Sequence, residues 1–387
     1  MRRAPWWLWL LLPLGLLTAL SVVVARGGLL DFLRAGAPPV EELVFERVTL
    51  NPGAIRVSVV NGGPDPVTVA QVMVDDAFWR FTITPDATIG RLGRATIELP
   101  YPWVENEAHQ VKLLTSTGLT FEHEIAVARE TPRLDARYFR VFGMIGLLVG
   151  VIPVAVGLLW YPLLRRLERR WLDFVLALTA GLLVFLGVDA VAEALEKGAE
   201  VGGAFQGPLI VLIGTLGTLM FLQALSGGRV ARSGEEGRRA VAWLIALGVG
   251  LHNLGEGLAI GAAYVLGEAA LGAFLVIGFM LHNSTEGLAI VAPIARDRPR
   301  IGTLAGMGLL AGAPTVAGAW IGGAAFSPVL ATLFLSVGAG AIAQVIVALS
   351  RVVGRDREGA PVWTPLTASG LVAGMLVMYG TGLLVAG

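Results

Sequence analysis

One phrase occurs twice in this chain: HN-x-x-EGLAI runs from His252 to Ile260 and again from His282 to Ile290, 30 positions on. A helix sets residues i and i+4 on one face. His252 and Glu256 therefore point one way with Asn253 beside them, and His282 and Glu286 do the same with Asn283. Both copies lie in runs apolar enough to cross a bilayer. Ionisable groups are expensive there and usually mark an ion or substrate path. Imidazole, amide and carboxylate groups suit Zn²⁺, Fe²⁺, Mn²⁺ or Co²⁺ at four- to six-fold coordination, or two ions sharing the carboxylates. We therefore read His252, Asn253, Glu256, His282, Asn283 and Glu286 as a metal site. The expected function is transport of a divalent cation, Zn²⁺ foremost, as substrate and not as a resident group. No organic cofactor is needed.

Composition agrees. Of 387 residues, 55% are hydrophobic and only 15% charged, with mean hydropathy +0.72, whereas soluble proteins carry about 25% charged residues. The chain thus reads as an integral membrane protein with a soluble insert. Zero net charge speaks against a nucleic-acid partner. There are no cysteines, which excludes thiolate metal sites, and two of the four histidines sit in the repeated phrase.

The elements that must position these residues are hydrophobic spans. Eight are expected, near 139–164, 171–195, 207–226, 239–264, 268–294, 301–323, 326–350 and 364–386, each near the ~20 residues that cross a bilayer. Counted along spans four and five from opposite sides, His252 and His282 fall roughly 18 and 20 Å deep, near mid-bilayer. A short turn around Leu266 to Glu268 makes those spans antiparallel neighbours. Gly257 and Gly287 would let other helices approach closely.

Alternate loops carry the arginines: 165, 166, 169 and 170; 229, 232, 238 and 239; 296, 298 and 300; 351, 355 and 357. The opposite loops carry only Lys197. The positive-inside bias then places the 130s segment and the C-terminus outside the cytoplasm. Trp160, Trp171, Trp243 and Trp363 fall at inner span ends, as an aromatic belt would. The expected location is the plasma (inner) membrane of a prokaryote.

Ahead of the spans, Arg2 and Arg3 precede an apolar run from Trp6 to Ala25, so residues 1–26 read as a signal peptide or anchoring helix. Residues 40–130 alternate apolar and polar positions between Gly/Pro turns, as in Ile55–Val59, Val67–Val69, Phe78–Ile83, Ala95–Leu99, Gln110–Thr115 and Leu119–Val127. That rhythm predicts an antiparallel, immunoglobulin-like sandwich.

Further polar residues stand outside the repeated phrase. Asp189, Glu193 and Glu196 form one acidic face at the outer end of span two, with Glu200 beyond. Asp189 and Glu193 are candidates for the cation pathway, whereas Glu196 and Glu200 read as a solvated helix end. Gln344 is a third pathway candidate; it and Ser336 are polar groups in the interior of span seven. Glu122-His123-Glu124 alternates faces on a strand, so its histidine and acids diverge; it and His109, near Glu105 and Glu107, read as structural.

The paired HN-x-x-EG helices, the eight spans, the basic loop between spans three and four, and the outward termini make residues 139–387 resemble the ZIP (Zrt/Irt-like) family of divalent-metal permeases. The resemblance implies that spans four and five build the transport site and that flow is toward the cytoplasm. It also implies that spans one to three and six to eight form inverted repeats. The chain departs from the family in three ways. Span six reads Gly312-Ala313-Pro314-Thr315 where related bacterial members often carry Glu-Pro, which removes a ligand for a second ion. Leu254-Gly255 stands where a proline is common, and the sandwich is not a usual family part.

Two other functions compete. An intramembrane zinc protease needs His-Glu-x-x-His and a di-iron enzyme Glu-x-x-His pairs; neither order occurs. A transport-inactive metal sensor is the remaining alternative. The expected partners are the metal ion and the bilayer; a homodimer and a partner for the sandwich are left open.

Overall fold

The computed structural model describes residues 6–26, 38–131, 133–230, 234–265, 269–325, 327–355 and 364–386. Arg2, Arg3, Arg232, Arg357, Trp363 and the 266–268 turn lie outside the described residues. The chain divides into two units, Met1–Val40 and Glu41–Gly387. In the first, the apolar run is a helix, α1 (Trp6–Arg26).

The second unit begins with nine strands: β1 (Leu43–Asn51), β2 (Ala54–Asn61), β3 (Val67–Val74), β4 (Ala77–Trp79), β5 (Thr82–Thr84), β6 (Thr88–Ile89), β7 (Arg94–Leu99), β8 (His109–Thr115) and β9 (Thr120–Ile125). They form two antiparallel sheets, β1-β2-β7-β5 and β4-β3-β8-β9, with β6 on β3. Period-2 alternation aims one face of each sheet inward. Ile55, Val57, Ile97 and Leu99 of one sheet and Val72, Val111 and Leu113 of the other are fully buried in a shared core.

Two features depart from the expected strands. The run Phe78–Ile83 is not one strand: β4 pairs with β3 and β5 with β7, so the chain changes sheets at Arg80-Phe81. Alternation cannot reveal that change, because each half keeps the period. Strand β1 went unread because its pattern slips at a bulge between Phe45 and Arg47, and an extra residue breaks the period.

The helices follow: α2 (Ala136–Gly146), a π-helical turn (Leu147–Val151), α3 (Ile152–Leu158), α4 (Tyr161–Leu164), α5 (Arg169–Ala199), α6 (Gly207–Val230), α7 (Gly234–Val265), α8 (Ala269–Val291), α9 (Ile301–Ala325), α10 (Pro328–Arg355) and α11 (Pro365–Ala386). Among the described residues, seven segments are long and apolar enough to cross a membrane, the first being the continuous stretch Ala136–Leu164. In α11 the shorter apolar stretch Pro365–Gly380 stands where the eighth span was expected. Trp160, Trp171 and Trp243 are exposed on the surface, as belt residues would be.

The first span is the irregular one. At its π turn the Ile152 amide bonds back to the Leu147 carbonyl, and position 153 is proline, so no amide serves the Val149 carbonyl four residues earlier. That carbonyl therefore lacks its usual donor four residues on.

Candidate metal centre

Helices α7 and α8 bring the two copies of the repeated phrase together. One ligand atom each from His252, Glu256 and His282 lies within 4.8 Å of the others. His282 Nε2 hydrogen-bonds Glu256 Oε1, and His252 Nε2 stands 3.1 Å from that same oxygen. The ring centroids are 6.5 Å apart. Glu256 thus sits between both imidazoles. His252, Asn253, Glu256, Asn283 and Glu286 are all at most 5% exposed.

The asparagines cross the site. Asn253 Nδ2 donates to Glu286 Oε2 and to the Ala311 carbonyl of α9, each at 3.1 Å. Asn283 Nδ2 donates to Glu256 Oε2 at 3.1 Å and to the freed Val149 carbonyl at 3.0 Å. Each motif's amide therefore holds the other motif's carboxylate. The backbone carbonyls fix which end of each amide is nitrogen, since only nitrogen can donate to them.

The glycines repeat this reciprocity. A Cβ on Gly257 would lie 2.2 Å from the Thr315 carbonyl oxygen, and one on Gly287 would lie 2.2 Å from that of Val154. Thr315 follows Pro314 and Val154 follows Pro153. The partners on α9 are Ala311 and Thr315, four apart; those on the first span are Val149 and Val154, five apart. The π turn supplies the extra residue, as such bulges often do at functional sites.

Among the described residues, Asn253 Oδ1, Asn283 Oδ1 and Glu286 Oε1 are buried here without a hydrogen-bond partner, and His252 Nε2 has the Glu256 oxygen 3.1 Å away. Leaving such atoms unpaired costs on the order of 1–3 kcal/mol each. All four can act as lone-pair donors, so a divalent cation is the partner that suits them together. Thr315 Oγ1, in the stretch without a carboxylate, is buried and unpartnered as well.

The three pathway candidates separate. Glu193 is half-buried and close enough to His252 and Glu256 to interact with them electrostatically. Asp189 is exposed, so Glu193 and not Asp189 is the acid that turns toward the site. Gln344 leaves it: its amide donates to Ser226 Oγ at 3.0 Å. Gly338, whose added Cβ would meet His252 Cα at 3.0 Å, is six residues, about 9 Å, back along α10. Ser336 bonds the Thr332 carbonyl within its own helix.

Sequence reasoning missed the Val149 and Ala311 carbonyls and Met378. The last lines a small cavity with Leu182, Leu183, Leu186, His282 and Glu286. Pro153 and Pro314, one in each apolar span flanking the site, were the available signal. If the reciprocal amides hold the site, Asn283→Leu strips the Val149 carbonyl and Glu256 Oε2 of a donor at once. The expected loss is about 2–5 kcal/mol, read from thermal unfolding in detergent; an unchanged midpoint would show that the amide holds nothing.

The other two histidines are structural. His109 Nδ1 meets Asp75 Oδ2 at 2.8 Å, and its Nε2 accepts from the Val104 amide at 3.3 Å. The partner is Asp75, not the nearby Glu105 or Glu107. His123 stacks on Phe45 at 5.2 Å, and burial pushes its pKa down. Burial alone would raise the Asp75 carboxyl, but bonds from the Gln110 amide, His109 and Tyr101 hold it below 3.8. Its stabilisation is therefore complete above that value and disappears as pH falls through it and below. Asp75→Asn should flatten the acid limb of the sandwich's unfolding curve, followed by tryptophan fluorescence of the full chain. An unaltered limb would contradict this.

Comparison with models of known protein families and with characterised proteins gives no match.

Proposed function

We propose that this chain is a divalent-metal permease of ZIP type. It carries Zn²⁺ foremost, or Fe²⁺, Mn²⁺ or Co²⁺, through a site shared by α7 and α8. One observation carries the reading: His252, Glu256 and His282 converge among buried, partnerless lone-pair donors within helices apolar enough to span a membrane. The reciprocal packing of the first and sixth spans supports inverted repeats. In this reading α11 is the eighth span and the sandwich is immunoglobulin-like. The arginine-rich loops face the cytoplasm of a prokaryotic cell, with the sandwich and C-terminus outside.

Transport then needs the site to open alternately to each side. Glu256 and Glu286 exchange metal for protons, since ligand protons compete with the ion. Glu256 is the central ligand, shared by two imidazoles; Glu286 is held by Asn253 and offers its free oxygen beside it. Without the span-six carboxylate, the residues present suit one ion better than two.

Proteoliposomes test this directly. Vesicles with the unaltered protein accumulate zinc, and vesicles with His282→Ala do not, although the variant stays folded. Equal uptake by both refutes the site. Metal-dependent cleavage of a substrate without uptake would favour the enzyme alternative.

A further inference from the structure

The sandwich is fastened to the helices at two separate places. At the first, the β1 bulge precedes Arg47, whose Nη1 donates to the Ala324 carbonyl at 2.6 Å and Nη2 to that of Gly323 at 3.4 Å. These are last-turn carbonyls of α9, which lack helical partners and carry the negative end of the helix dipole. A planar guanidinium reaches both. At the second, the Gly203 amide donates to both Glu42 carboxylate oxygens at 3.0–3.1 Å, and the Ala204 amide to the Gly62 carbonyl at 2.8 Å. A Cβ on either Gly62 or Gly202 would lie 2.6 Å from the other's Cα. Residues 200–206 join α5 to α6.

The two attachments belong to different groups of helices. Helix α9 is locked to α7 by backbone contact: a Cβ on Gly257, Gly318 or Gly322 would lie 2.1–2.2 Å from a carbonyl oxygen of the other helix. Helix α5 is locked to α11 in the same way at Gly181 and Gly374, 2.0–2.1 Å from carbonyl oxygens, and α6 to α10 at Gly340, 2.3 Å. Between the groups no added Cβ comes that close to a carbonyl oxygen: the nearest atoms are a Leu335 side-chain carbon at 3.5 Å from Gly255, His252 Cα at 3.0 Å from Gly338 and a Val345 side-chain carbon at 2.5 Å from Gly248, with the Ala341 carbonyl oxygen 3.1 Å from the last. The metal centre lies on this seam, with His282 and Glu286 facing Leu182, Leu183 and Leu186 of α5 and Met378 of α11.

We propose that the sandwich is a strap across the seam, tying the end of α9 to the α5–α6 turn so that the seam stays shut on the sandwich side until one attachment releases. The strap's importance for transport rests on the permease reading; its existence does not. In that role, loosening either fastening opens the path to the site.

The chain has no cysteine, so a single reporter is clean. Ala190→Cys places a thiol on α5, at a position 2% exposed and three residues before Glu193. The full-length protein in vesicles is labelled with a membrane-impermeant maleimide from the sandwich side. Arg47→Ala cuts one attachment and Gly202→Val forces the other apart. Each should raise the labelling rate about tenfold, the scale on which losing charge-assisted contacts shifts a local opening. Both together should add little, since a strap cut once is already cut. Arg47→Lys, which keeps the charge but not the fork, should give a smaller rise and carries the test if Arg47→Ala does not fold. Rates within twofold of the unaltered reporter, or effects that multiply in the double variant, overturn the strap. Zinc uptake in the same vesicles is read separately: its absence in the unaltered protein strikes the permease reading and leaves the labelling result standing.

Discussion

Glu256→Gln should abolish zinc uptake, and Glu286→Gln should not. Both changes keep side-chain volume and remove one charge, and both residues are 3% exposed. Their surroundings differ. Glu256 Oε1 meets His282 and lies 3.1 Å from His252, while its Oε2 accepts from Asn283. Glutamine there removes the negative charge that both imidazoles contact and puts an N–H where the proposed ion would sit. Glu286 is contacted by Asn253, and its other oxygen is free. Losing a supporting group typically costs a metal site 10–100-fold in affinity. We expect more than about a hundredfold for Glu256 and about tenfold for Glu286, as lost initial uptake rate. Equal effects at the two positions would show that the ion is shared evenly, and the asymmetry drawn here would be wrong.

The second large effect concerns no ligand. Gly287→Ala should cost about 3 kcal/mol or more and remove zinc binding with it, since overpacking of 1–3 kcal/mol assumes neighbours that can shift. Here the added carbon would lie 2.2 Å from the Val154 carbonyl oxygen and 2.7 Å from Gly157 Cα, both backbone. Relief requires α8 to move off α3, which carries His282 and Glu286 away from Glu256. Gly257→Ala should behave alike, against the Thr315 carbonyl on α9. Gly380→Ala, with nothing within 4 Å, should be neutral. Thermal unfolding in detergent and zinc titration of the same three variants check the ranking. A stable, zinc-binding Gly287→Ala protein would mean that the close approach is not needed.

Much of this was legible in the sequence because the bilayer makes polar residues conspicuous. Histidine and glutamate repeated inside two apolar runs could be assigned to one site before any coordinates, and the glycine after each glutamate marked a close helix contact. The strands of the sandwich core announced themselves wherever alternation was unbroken, as in Ile55-Arg56-Val57. What stayed hidden depended on distant backbone or on rotation. Nothing in Asn253 or Asn283 says that their nitrogens will cross to the opposite glutamate. That follows from carbonyls on the first and sixth spans, one of them freed by Pro153 and a π turn. Gln344 read as a pathway residue because spacing cannot show that Ser226 lies across from it. Asp189 and Glu193 share a helix face by periodicity, yet only Glu193 turns toward His252. Arg47 looked like any arginine on an irregular strand; its role appears only with the end of α9 beneath it.

In the proposed function the two copies of the repeated phrase jointly hold one divalent ion. X-ray absorption at the zinc edge of the zinc-loaded, detergent-solubilised protein tests it most directly. About one zinc per chain is expected, bound by nitrogen and oxygen alone at about 2.0–2.2 Å, with scattering from two imidazole rings that drops to one ring in His252→Ala and in His282→Ala alike. A spectrum with a single imidazole in the unaltered protein, or one unchanged by either substitution, would contradict it.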